Sequence, residues 1–204
     1  MVNGLERTVM ERQQRAVEIV DRLQSLALEQ EISDILDLYV LRPEDPKPSS
    51  TGGLEIESPE AHELFGRDGA GGGYYVLTDG RILYVDSEGS FGIVGTNFKE
   101  FIAIATGLPG WHDALKLVKL QSIDVAREKW RSFVDKWGAE DELDGPWPED
   151  EGFKSGTPAE ARTAIREHFG VEPLADPFGA LHHAVRTLGK DISVKWGSDP
   201  AQSF

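Results

Sequence analysis

The chain has 204 residues and 36 acidic against 21 basic side chains, a net charge of −15. With 39% hydrophobic and 28% charged residues it can bury a core, and the absence of cysteine excludes disulfides, thiolate nucleophiles and Cys-ligated zinc. So acidic a chain lacks the clustered Lys and Arg of a nucleic-acid binder, shows neither a membrane span nor a signal peptide, and is expected to be cytoplasmic.

Residues 5–41 contain no Gly or Pro, and Leu5, Val9, Ala16, Val20, Leu23 and Ala27 recur at helical spacing. The reading is helix, with Ser33 capping a second stretch or one helix bending at Glu29-Gln30-Glu31. Three prolines and two glycines within Arg42–Gly53 predict a linker. Leu54 and Ile56 alternate with Glu55 and Glu57 as a strand, and Ser58-Pro59 then reads as the start of a short helix.

Tyr74–Leu77 and Ile82–Val85 flank Asp79-Gly80, which predicts a hairpin closed by a two-residue type I′ loop. In that register Leu77 faces Ile82 and Tyr75 faces Tyr84, and both faces of the hairpin are apolar, so both should be covered. Asp86–Gly89 turns the chain into a third strand at Phe91, Ile93 and Val94. Helices are expected after Asn97, over Trp111–Leu120, over Ile123–Trp137, from the Thr157 cap to Phe169, and from Asp176 to Leu188, with a last strand at Ile192, Val194 and Trp196.

Chemistry-bearing motifs are few. The Gly66–Gly73 stretch has no following Lys-Ser or Lys-Thr and leads into a strand, so it does not read as a phosphate loop. Ser90 opens a strand and lacks the strand-to-helix turn of a nucleophile elbow. His62-Glu63 has Gly66 where a zincin places its second His, and His182 and His183 point about 100° apart on a helix. His112 and His168 have no partner at ligand spacing, so no metal and no cofactor are expected. Asp79, Asp86 and Glu88 sit at turn tips, where acidic residues serve the backbone.

Phe65-Gly66-Arg67-Asp68-Gly69-Ala70-Gly71-Gly72-Gly73-Tyr74-Tyr75, then Thr78–Gly89, then Asn97-Phe98-Lys99-Glu100-Phe101 resemble the SUKH superfamily. That superfamily includes bacterial immunity proteins and a fungal cell-wall synthesis regulator. The resemblance implies an α+β fold, with a mainly antiparallel sheet and a central hairpin flanked by N- and C-terminal helices. It also implies one domain over residues 1–204, its core at 54–121 and a helical extension over 122–204.

The function this implies is non-enzymatic binding of another protein, foremost as an immunity protein that neutralises a toxin such as a basic nuclease. The alternatives are a regulatory or scaffold protein of the same fold, and a small-ligand sensor or enzyme using the Gly66–Gly73 loop beside Asp86 and Glu88. A surface loop is expected at 139–151, which holds seven acids and no base. There Glu140, Asp141, Glu142 and Asp144 around Trp147 are the candidate partner-binding residues.

Overall fold

The computed structural model describes residues 18–21, 23, 28–41, 54–120, 122–137, 153–196 and 199–200. The expected linker at 42–53 and the acidic stretch with Glu140, Asp141, Glu142, Asp144 and Trp147 lie outside the described residues.

Glycine at the third loop position shapes the central sheet. Strands β3 (His62–Arg67), β4 (Gly73–Leu77), β5 (Ile82–Val85) and β6 (Phe91–Gly95) form an antiparallel meander, and β1 (Tyr39–Val40) pairs with β3, giving the order β1-β3-β4-β5-β6. All three turns of the meander are built alike. The N–H of Asp68, Leu77 and Asp86 donates to the carbonyl of Gly72, Arg81 and Ser90, four residues on. In each, the third loop residue is a glycine at positive φ: Gly71 at 94°, Gly80 at 97° and Gly89 at 88°. This is a type I turn followed by a left-handed bulge residue, a conformation that suits glycine.

This turn corrects the expected hairpin register. A type I′ loop needs positive φ at Asp79, but Asp37 is the one non-glycine residue with positive φ among those described. The loop therefore takes three residues, Thr78-Asp79-Gly80, and β4 shifts by one against β5. Tyr74 lies opposite Tyr84, Tyr75 opposite Leu83, and Val76 opposite Ile82. The shift decides the site described below, because it puts both Tyr74 and Tyr84 on the same face of the sheet.

The expected helix after Ser58 is a second correction. Ser58 Oγ does accept the Glu60 N–H at 3.2 Å, as a cap would, but the chain then extends into β3. There β4 pairing satisfies the backbone, and strand alternation puts Phe65 in the core on one face and Leu64 on the other, with the register shifting between Leu64 and Gly66. Ser33 caps no helix either: its hydroxyl donates to the Gln30 carbonyl at 2.9 Å, and helix α1 runs Glu29–Leu36.

The remaining helices follow their sequence signals. They are α2 (Phe98–Ala105), α3 (Trp111–Val118), α4 (Ile123–Trp137), α5 (Pro158–Phe169) and α6 (Pro177–His183). Asn97, Thr157 and Asp176 cap α2, α5 and α6 with their side chains, and Glu160 returns the Thr157 contact as a full capping box. Beyond α6 the backbone widens into a π-helical turn over Ala184–Leu188, then Gly189.

As the apolar hairpin predicted, both sheet faces are covered. Phe65, Tyr74, Val76, Ile82, Tyr84 and Val94 face the helical layer, where Phe101, Ile102, Trp111 and Ile165 are buried. Tyr75, Leu77, Leu83, Val85, Phe91 and Ile93 pack against Leu54, Ile192 and Val194. The last three sit on or beside a second sheet, β2 (Leu54–Glu57), β7 (Ser193–Trp196) and β8 (Asp199–Pro200), in the order β2-β7-β8. The fold is α+β, mainly antiparallel, with helices before and after the hairpin in sequence. Among the described residues no helix is long and apolar enough to cross a membrane.

Candidate functional site

A meander alternates its turns between two ends, so the Asp68–Gly72 and Asp86–Ser90 turns share one end of the sheet. The C-terminus of α1 and the N-terminus of α3 come to the same place. Helix α1 stops at Asp37, which is left-handed at φ 46° and ψ 49°. Helix α3 starts after a left-handed Gly110, and its first residue, Trp111, donates Nε1–H to the Leu36 carbonyl at 3.1 Å.

Five titratable side chains meet there and bind one another. Asp37 Oδ2 lies 3.1 Å from His112 Nδ1, and His112 Nε2 lies 2.7 Å from Tyr74 Oη. Tyr74 Oη also reaches the carbonyls of Leu36 at 3.0 Å and Asp37 at 3.1 Å. Across the hairpin the Tyr84 hydroxyl donates to Asp68 Oδ2, while Asp68 Oδ1 accepts the N–H of Ala70 at 2.9 Å and of Gly72 at 2.6 Å. Asp37 Oδ1 takes the Gly69 N–H at 3.0 Å, so the glycine turn is tied to both carboxylates. The rings pack as well, with His112 4.9 Å from Tyr84 and Tyr74 5.0 Å from Tyr84 between centroids.

Burial sets the electrostatics. Tyr74 is fully buried, and burial first, then the charges of Tyr84, Asp37 and Asp68, push its phenol well above the ordinary range. Tyr84 is raised in the same way, by burial and then by its bond to Asp68. Both phenols therefore stay neutral donors. Burial also raises Asp37, but the hydrogen bond and charge of His112, with the Gly69 N–H, outweigh it and hold the carboxylate below its ordinary value.

His112 is hydrogen-bonded in either protonation state. When neutral with its proton on Nδ1, it gives that proton to Asp37 and accepts the Tyr74 proton at Nε2. As imidazolium it donates from both nitrogens, and the phenol proton turns to a backbone carbonyl.

The arrangement permits two chemistries on paper. Ligand atoms of Asp37, Asp68 and His112 lie within 4.8 Å of one another, a spacing a metal ion could use. Each of those three side chains already holds protein partners, and a cation would have to displace the Tyr84 hydroxyl or turn amides. Asp37, His112 and Tyr74 also follow the order of an acid–base relay, but the relay ends at a phenol with no exposed surface. What the geometry does provide is a rigid polar lock joining α1, α3 and the glycine turn.

The residues singled out by sequence fall on both sides of this site. The Gly66–Gly73 stretch and Asp86 are at the lock's end of the sheet, and Asp86 contributes to raising Tyr84. Asp86 Oδ1 accepts the Glu88 and Ser90 N–H groups, at 2.9 and 2.8 Å, which is backbone work. Asp79 is at the opposite end, paired with Arg81 at 2.6 Å. The Gly66–Gly73 stretch joins two strands, with β3 rather than a helix leading directly into it. His112 finds its carboxylate 75 residues away in sequence, beyond the reach of any local spacing rule. Tyr74 and Tyr84 carried the only available signal, since a phenol in a buried strand needs a hydrogen-bond partner.

No family model matches the chain, and neither a curated protein nor a solved structure matches it. The class defined by fold and site is thus an α+β domain with a locked, acidic sheet end.

Proposed function

We propose that this chain is a non-enzymatic protein-binding module of the immunity type, which neutralises a toxin by occupying its surface. The observation that carries the reading is how the five titratable groups at the sheet end are used. Asp37, His112, Tyr74, Tyr84 and Asp68 bond to one another and to backbone, so their chemistry goes into holding a surface in shape. A preformed surface loses little freedom on association, which favours tight binding. The net charge of −15 supports a basic partner, such as a nuclease domain, through faster encounter. The segment that resembles SUKH proteins is also the meander that builds this end of the sheet. The site of action is taken to be the cytoplasm, where a producing cell must protect itself.

The test is to look for a toxin among the genes that neighbour this one and to co-express its toxin domain with this protein. Protection of growth by this protein, and by no unrelated acidic protein, is expected. Failure to protect, with both proteins present and folded, would refute the immunity role.

One observation favours a second reading, an acid–base enzyme: the order Asp37–His112–Tyr74. That reading requires turnover of some substrate that disappears in Tyr74→Phe while the fold persists.

A further inference from the structure

The second sheet has an open edge. Strand β2 lies at the margin of the order β2-β7-β8 and pairs with β7 alone, from Leu54 opposite Trp196 to Glu57 opposite Ser193. Alternate N–H and C=O groups of β2 therefore point away from β7, and among the described residues nothing hydrogen-bonds to them. Such an edge can take a further strand through main-chain hydrogen bonds.

The side chains of β2 select what can add to it. Leu54 and Ile56 face the core, Leu54 buried and Ile56 only partly covered, while Glu55 and Glu57 are exposed on the other face. Glu57 is held by Lys195 at 2.6 Å and by Ser193 at 3.0 Å. Lys195 stands opposite Glu55 in the ladder but reaches to Glu57, so Glu55 has no hydrogen bond or ion pair among the described residues. A second copy of β2, added antiparallel with its apolar face on the same side, would set glutamate opposite glutamate, and like charges directly opposite destabilise a pair. A strand with Lys or Arg at alternate positions reverses that sign, and apolar residues between them would complete the cover of Ile56. The net charge of −15 attracts the same kind of segment from a distance.

We propose that β2 is a docking edge for an extended segment of a basic protein partner. The segment alternates cationic and apolar residues and adds to β2 as a further strand, with a cation over Glu55. This rests on the protein-binding reading above and names the element of the partner that is recognised.

The probe is acetylated, amidated Lys-Val-Lys-Val-Lys-Val, titrated into the isotope-labelled full chain and followed by NMR. Shifts are expected at the amides of Leu54–Glu57, with hydrogen exchange slowed at alternate ones. Two control peptides should each bind at least about threefold more weakly. One has its lysines and valines in separate blocks; the other is N-methylated throughout, which keeps the charges and side chains but leaves no backbone donor. Glu55→Gln removes the uncompensated charge from an exposed side chain, so it should weaken the alternating peptide by a similar factor while the spectrum stays folded.

Shifts that bypass β2, equal binding of either control peptide, or undiminished affinity in folded Glu55→Gln would overturn the proposal. The two readings fail separately. Binding of the alternating peptide at β2 without protection from the toxin would remove the immunity role and uphold the edge. Protection from the toxin with no binding of the peptide at β2 would remove the edge and leave the immunity role standing.

Discussion

At the scale of single residues, neighbouring glycines in one turn do different work. Gly71 has φ 94° and a Cβ there would meet nothing within 4 Å, so Gly71→Ala meets only backbone strain, about 1 kcal/mol. Gly72 has ordinary φ, but its Cβ would press on Asp68 Oδ2 and come 2.8 Å from the Val85 carbonyl. Gly72→Ala should therefore cost more than Gly71→Ala and push Asp68 away from Tyr84. Chemical denaturation of the two variants checks the order, and the reverse order would remove Asp68 from its place in the lock. The buried phenols give a second residue-scale prediction. Both are raised above the ordinary value of 10, so the stability they confer is complete below pH 10 and is lost as pH rises beyond it. Phenolate absorbance from Tyr74 and Tyr84 should appear together with loss of far-ultraviolet circular dichroism, as Tyr→Phe variants would assign. Ionisation of either phenol in the folded protein would contradict the hydrogen bonds drawn for it.

At the scale of elements, capping chemistry was the most legible part of the sequence. Thr157-Pro158-Ala159-Glu160 announces α5, and the structure contains the reciprocal bonds, with Thr157 N–H to Glu160 at 2.8 Å and Glu160 N–H to Thr157 Oγ1 at 3.3 Å. Thr157→Ala should destabilise the protein by about 1 kcal/mol. A thermal or denaturant midpoint unchanged by that substitution would mean the cap is not formed. Turn signals were legible as turns but not as turn types. Asp79-Gly80 fits a two-residue loop on sequence grounds, and only the φ at Asp79 separates it from the three-residue loop observed. The recurrence of Asp68-x-x-Gly71 and Asp86-x-x-Gly89 was present in the sequence and points to the three-residue form. Ser58-Pro59 was misleading because a local cap competes with strand pairing, and pairing with β4 settles β3 by long-range contacts that no window of sequence contains. The lock was illegible for the same reason. Its members at 37, 68, 74, 84 and 112 meet only after the meander and the ends of α1 and α3 are assembled.

At the scale of the molecule, the sheet is covered on both faces, and the Asp68–Gly72 and Asp86–Ser90 turns lie together at one end. Fold class followed from the hairpin and the flanking helices, because apolar alternation on both faces demands two covering layers. Function follows less directly, since it depends on a surface, and a surface is a product of the whole arrangement. We propose that the protein acts by binding rather than by turnover. The most direct measurement is a titration of purified toxin domain with this protein, reading residual toxin activity against molar ratio at toxin concentrations far above the dissociation constant. Binding predicts a linear loss of activity, with an endpoint set by a fixed stoichiometry and unchanged by longer incubation. Inactivation of excess toxin by substoichiometric amounts of this protein, deepening with time, would contradict the account and identify an enzyme.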